Sequence, residues 1–176
     1  MSSELLIHAS GLAALVINVL ALLCRCDLAM RRQSVVAGCL WTLNNVLIGA
    51  TAAAALSAVS VSRTVSSAAT LERSRIARRN ACAFFTGLTV VAAALTWNGW
   101  LSLVTLTASV ISTWAMFYLR GATLRLVMLL VSGMWMVNAW QYESWEQMAA
   151  NVVTAGAAAY GAWQLATRKA GAAGPV

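Results

Sequence analysis

Carboxylates are scarce in this sequence: 176 residues hold only five Asp and Glu. Glu4, Asp27, Glu72, Glu143 and Glu146 all stand at the ends of apolar runs or between them. Proton relays in membrane pumps use intramembrane carboxylates, so proton coupling has no visible agent here. The same scarcity, with no Ser/His/Asp set inside the apolar runs, argues that the chain is not an enzyme. The single histidine, His8, lies near the end of the first apolar run and reads as interfacial. The single proline is Pro175 and the single lysine Lys169, both in the tail, which excludes a proline-rich chain and a retinal-type lysine. None of the 11 glycines forms a phosphate loop or dinucleotide fingerprint. Of the four cysteines, Cys24 and Cys26 form a C-x-C without histidine or a second pair, which is no metal framework. Cys39 and Cys82 stand apart from each other and from that pair. No cofactor and no metal are expected.

What is abundant is apolar surface. Hydrophobic residues make up 61% of the chain and charged residues 10%, with a mean hydropathy of +0.76. Soluble domains run near half apolar and a quarter charged, so a polytopic α-helical membrane protein is the class that remains. A membrane β-barrel would need short alternating segments, whereas these runs are long and continuous. The net charge of +7 does not indicate a nucleic-acid partner, because the basic residues fall in short clusters between apolar runs. No lysine or arginine precedes the first run, so it lacks a cleavable signal's basic start and reads as a retained helix.

Seven runs are long enough, or nearly so, to cross roughly 30 Å of hydrocarbon: Leu5–Leu23, Ser34–Ala50, Ala52–Leu71, Ala81–Trp97, Leu101–Tyr118, Leu126–Trp140 and Trp145–Leu165. The odd-numbered connections and the tail hold Arg25, Arg31, Arg32, Arg73, Arg75, Arg78, Arg79, Arg120, Arg125, Arg168 and Lys169. The even-numbered ones hold no basic residue. Only Arg63 of the 12 basic residues falls inside a run. The positive-inside rule therefore predicts the N-terminus outside and the C-terminus in the cytoplasm. Trp97, Trp100, Trp140, Tyr142 and Trp145 fall at the outward run ends, where aromatic rings anchor at the headgroup level.

The pattern R-x9-W-x2-N occurs twice, 94 residues apart, as Arg31/Trp41/Asn44 and Arg125/Trp135/Asn138. That offset carries the first run onto the fifth and the third onto the seventh. The predicted architecture is all-α, a 3+1+3 parallel repeat of triple-helix bundles. It divides the chain into a first bundle (1–71), a connecting loop and fourth helix (72–98), a second bundle (99–166) and a cytoplasmic tail (167–176). Trp and Asn three residues apart share a helical face, and Asn in hydrocarbon requires a partner. Trp41, Asn44, Trp135 and Asn138 therefore read either as a solute site on the repeat axis or as helix-packing residues. Arg63, roughly 12 Å from the inner end of its run, reads either as a binding residue or as a side chain snorkelling to the interface. Asn18 and Asn151 read as helix–helix hydrogen-bonding residues.

Two stretches carry a family resemblance. SVISTWAMFYLRGATLRLVMLLVSGMWMVNAW, from Ser109 to Trp140, and GATAAAALSAVSVSRT, from Gly49 to Thr64, resemble the YgjV family of bacterial inner-membrane proteins. Arg63 matches an arginine in that family's third span, and the likeness extends from Gln33 to Leu165. It implies a bacterial inner-membrane location and carries no activity with it. A more distant likeness is to SWEET and PQ-loop (MtN3-like) transporters, which share the 3+1+3 layout. That likeness implies a solute path lined by Trp41, Asn44, Trp135 and Asn138. The chain departs from it in having neither hinge prolines nor a Pro-Gln pair, which leaves glycines such as Gly38, Gly49, Gly133 and Gly156 to absorb motion.

The expected function is facilitated movement of a small polar solute between the two bundles, with Trp41, Asn44, Trp135, Asn138 and Arg63 as binding residues. The alternative is a non-transporting assembly partner or sensor that keeps the fold. The expected partners are the lipid bilayer and that solute, with no nucleic acid, and homo-oligomerisation is left open.

Overall fold

The computed structural model describes residues 3–49, 51–97, 99–141 and 145–172, and the side chains of these except 3, 51, 52, 138, 141, 145, 146 and 168–172. They form seven helices and, among the described residues, no strand: α1 (Ser3–Leu23), α2 (Asp27–Leu47), α3 (Thr51–Ala69), α4 (Arg75–Leu95), α5 (Ser102–Tyr118), α6 (Gly121–Gln141) and α7 (Trp145–Ala172). Each overlaps one of the seven apolar runs.

Several helices outlast their runs. Helix α2 starts at Asp27, α4 at Arg75 and α6 at Gly121, each several residues before its apolar stretch. Hydropathy marks depth in the bilayer, while the helix ends where its backbone is capped. Asp27 supplies negative charge to the first turn of α2. Ser74 caps α4 by accepting from Ala77 N at 3.3 Å. The break between α2 and α3 falls where Gly49 takes φ +74° and its N–H bonds Val46 O, the left-handed helix ending that glycine permits.

Polarity is inverted relative to a soluble fold. Ser10, Arg31, Asn44, Asn45, Arg63, Thr64, Ser67, Thr89, Ser112, Thr113 and Arg125 are buried, while Leu12, Val16 and Leu20 form an exposed stripe on α1. Trp97, Trp100 and Trp140 are exposed at the predicted outward ends. Tyr142 and the Trp145 side chain lie outside the described residues. Among the described residues one helix, Glu4–Leu23, is long and apolar enough by itself to cross a bilayer, with a mean hydropathy of 2.2. Ser102–Tyr118 and Gly121–Val137 are apolar but shorter, while α2 and α3 bury polar residues such as Asn44, Asn45, Arg63 and Thr64.

The principal helix neighbours form a cycle in chain order, α1 through α7 and back to α1, with α4 between α3 and α5 and a lesser direct contact of α3 with α5. There Phe85 of α4 stacks on Phe117 of α5, with ring centroids 6.2 Å apart. At the end bearing the arginine-rich connections, two arginines at 0% exposure fasten the cycle. Arg31 of α2 donates to Met116 O, to Leu119 O at 3.2 Å and to Ser67 Oγ at 2.9 Å. Arg125 of α6 donates to Leu22 O at 3.0 Å, to Cys24 O, to Gly121 O at 2.9 Å and to Asp27 Oδ1 at 3.3 Å. Each arginine thus satisfies carbonyls at the C-terminal end of a helix from the opposite half of the chain, where four carbonyls lack intrahelical partners. Between them pack Ala21, Met30, Ala115, Met116 and Leu124, an apolar plug.

Candidate functional site

Above the plug lies a cavity of about 310 Å³, at the small end of the range for ligand pockets. All seven helices contribute to its wall. Its floor is Leu22, Met30 and Met116, each at most 5% exposed. The wall carries hydroxyls, amides, two indoles and one guanidinium, and no carboxylate or histidine among the described lining residues.

Lining residues recur at the 94-residue offset: Asn18 with Ser112, Trp41 with Trp135, Ser57 with Asn151, and Ser60 with Thr154. The pairs join α1 with α5, α2 with α6, and α3 with α7.

Of the five residues singled out from the sequence, the structure brings Trp41, Trp135 and Arg63 to this wall. It places Asn44 elsewhere. Asn44 Nδ2 donates to Ile7 O at 2.7 Å and Ser10 Oγ at 3.1 Å, fastening α2 to α1, and Gly11 is close beside it. Asn44 is thus placed as the helix-packing reading has it, and it is its neighbour Asn45 that lines the cavity. At about 100° per residue, a residue four positions on from Trp41 stays within about 40° of it, whereas one three positions on swings about 60° the other way. Asn45 Nδ2 donates to Ser57 Oγ at 3.2 Å, and its buried Oδ1 has no hydrogen-bond partner. The side chain of Asn138 lies outside the described residues.

Arg63, 6% exposed, does not snorkel to the interface. It turns toward α5, where Nη1 donates to Ser109 O at 3.1 Å, Ser112 Oγ at 2.8 Å and Thr113 Oγ1 at 2.9 Å. Nη2 donates to Ser60 Oγ at 2.7 Å, and the buried Nε has no partner. Asn18 and Asn151 also line the cavity. Asn18 Nδ2 bonds Thr154 Oγ1 at 3.2 Å, joining α1 to α7, whereas Asn151 Nδ2 returns to Gln147 O of its own helix.

The sequence reading did not single out Asn45 or the hydroxyls of α3. A signal was there: Ser57, Ser60, Thr64 and Ser67 recur every three or four residues on one face of α3. It also took Arg31 and Arg125 as topology markers alone, although their place in the repeated motif set them apart from the other basic residues.

Residues 5–169 match the Imp-YgjV family, described as bacterial inner membrane protein. No curated protein and no solved structure matches the chain.

Proposed function

We propose that this chain, which belongs to the Imp-YgjV family and is a multi-pass protein of the bacterial inner membrane, is a facilitator for a small polar solute. In this reading the chain is a parallel 3+1+3 repeat, α1–α3 and α5–α7 joined by α4, with the arginine-rich end in the cytoplasm. The observation that carries it is the cavity wall, where residues 94 apart in sequence face one space from corresponding helices. Matched residues around one shared space are what a path on a pseudo-twofold axis calls for.

The arginine contacts support the same arrangement. Arg31 holds Met116 O while Arg125 holds Leu22 O, and both donors and both acceptors differ by 94. The plug and its two arginines close the cytoplasmic end beneath the cavity. Passage to the cytoplasm requires those contacts to part, so the conformation described is one side of an alternating-access pair. Trp41 and Trp135 supply broad apolar faces to the solute, and the surrounding hydroxyls and amides supply hydrogen bonds.

The placement of Asn44 against α1 favours a second reading, in which the chain is an assembly partner or sensor and the cavity binds without transporting. Solute flux into proteoliposomes separates the two. Wild-type protein should pass members of a pool of sugars, amino acids, nucleosides and organic acids, and Trp41→Ala and Trp135→Ala should each change that flux. No flux from folded wild-type protein refutes the facilitator.

A further inference from the structure

An arginine buried in a membrane protein meets a carboxylate or backbone carbonyls, and neutral partners alone leave its charge uncompensated. Among the described residues Arg63 has four partners, and all are neutral: three hydroxyls and one carbonyl. Asp27 is held by Arg125, and in the sequence Glu4, Glu72, Glu143 and Glu146 stand at the ends of apolar runs or between them.

The guanidinium's five N–H groups are also unevenly used. Three acceptors crowd Nη1 and one sits on Nη2. That leaves one Nη2 hydrogen and the orphaned Nε–H of a side chain that forms part of the cavity wall. Two free N–H groups and a full positive charge suit an anionic oxygen group, which guanidinium binds more strongly than any neutral acceptor.

A second unpartnered atom stands further out on the same wall. Asn45 Oδ1 is a buried acceptor without a donor, and its amide bonds Ser57. Ser57 precedes Arg63 by six residues on α3, about 9 Å along the axis at about 1.5 Å per residue. Trp41 lies one turn inward of Asn45 on α2, at a depth between the two polar atoms.

We propose that the cavity is a site for a small organic anion, its carboxylate on Arg63, its planar or apolar body beside Trp41 and Trp135, and a hydrogen-bond donor at its far end on Asn45 Oδ1. This rests on the reading of the cavity as a solute site and names the solute's class.

The probe is radiolabelled 4-hydroxybenzoate, bound to the full-length protein in lipid nanodiscs at neutral pH. Unlabelled 4-hydroxybenzamide and benzoate serve as competitors. The amide removes the charge and benzoate removes the distal donor. Saturable binding of 4-hydroxybenzoate is expected, with the amide at least about tenfold weaker, the discrimination typical of one buried charged contact. Benzoate should fall between them, and Asn45→Ala should erase its deficit relative to 4-hydroxybenzoate.

Arg63→Gln should abolish the preference for carboxylate over amide. Because Arg63 ties α3 to α5, Arg63→Lys is the companion variant: it keeps the charge and should keep the preference at reduced affinity. An amide that competes as well as the carboxylate on wild-type protein overturns the proposal, as does the lack of saturable binding. Flux of 4-hydroxybenzoate into proteoliposomes is measured alongside. Selective, Arg63-dependent binding without flux keeps the anion site and removes the facilitator reading. Flux of neutral solutes together with equal binding of acid and amide does the reverse.

Discussion

The two buried arginines at the arginine-rich end look equivalent, yet they should fail differently. Arg125 at 0% exposure holds Asp27, whose side chain is 18% exposed, along with three carbonyls. Arg31, also at 0%, holds two carbonyls and the Ser67 hydroxyl, all neutral. Methionine in place of either removes the charge and keeps a long, flexible side chain. At Arg31 the loss is that of charge-assisted bonds to neutral acceptors near the interface, about 1–3 kcal/mol. At Arg125 the substitution also strands a carboxylate. Breaking a fully buried ion pair costs about 3–5 kcal/mol, and the partial exposure of Asp27 points to the lower end.

Arg125→Met should therefore be less stable than Arg31→Met by about 1–2 kcal/mol. Adding Asp27→Asn should recover more of the loss in the Arg125→Met background, with a coupling of about 1–3 kcal/mol, than in the Arg31→Met background, where Asp27 and Arg31 attract each other across one turn of α2 without a direct bond. Reversible unfolding in mixed micelles by added dodecyl sulfate, followed by far-ultraviolet circular dichroism, gives these differences. Equal losses at the two arginines, together with additive effects of Asp27→Asn and Arg125→Met, would refute the reasoning.

Two glycines of α7 provide an internal comparison for packing. A methyl group at Gly161 would stand 2.4 Å from Leu22 O and 3.1 Å from Arg125 Cδ, while at Gly156 nothing lies within 4 Å. Gly161→Ala should lower stability by about 1–3 kcal/mol, and Gly156→Ala should raise it by up to about 1 kcal/mol, both read in the same unfolding assay. Asn44→Ala should destabilise the α1–α2 contact and leave solute preference unchanged, whereas Asn45→Ala should do the opposite; a loss of preference in Asn44→Ala would contradict the placement of that side chain. For topology, the four native cysteines are replaced by alanine and single cysteines introduced. Trp100→Cys should react with a membrane-impermeant maleimide in spheroplasts and Arg73→Cys only after permeabilisation, and the reverse order would invert the proposed orientation.

Helix number and identity were legible because each apolar run is bounded by charge or by glycine, as at Gly49. Helix starts were not, because Ser74 caps α4, and Asp27 and Gly121 begin α2 and α6, in segments that hydropathy scores as loop. Trp41, Trp135 and Arg63 could be placed on the cavity because bulky aromatic and charged groups inside an apolar run have few other destinations. The choice between Asn44 and Asn45 was not available from spacing, since both lie within 60° or so of Trp41 on the helical wheel. What decides it is which neighbour supplies acceptors, and Ile7 O and Ser10 Oγ of α1 are visible only once α1 is in place. The roles of Arg31 and Arg125 were hidden for a related reason. Positive charge beside a span serves topology and packing alike, and only the exchange of partners between the halves separates the two.

That exchange has a bearing on biogenesis. The carbonyls of Leu22 and Cys24 are held by a residue that follows them by 103 and 101 positions. At translation rates of about 5–20 residues per second, α1 has emerged roughly 5–20 s before the arginine that caps it. Over that interval its inner end depends on water or on the insertion machinery for hydrogen bonds. The debt is not symmetric: α5 finds Arg31 already present when its own end arrives, so the second half assembles onto a template that the first half never had.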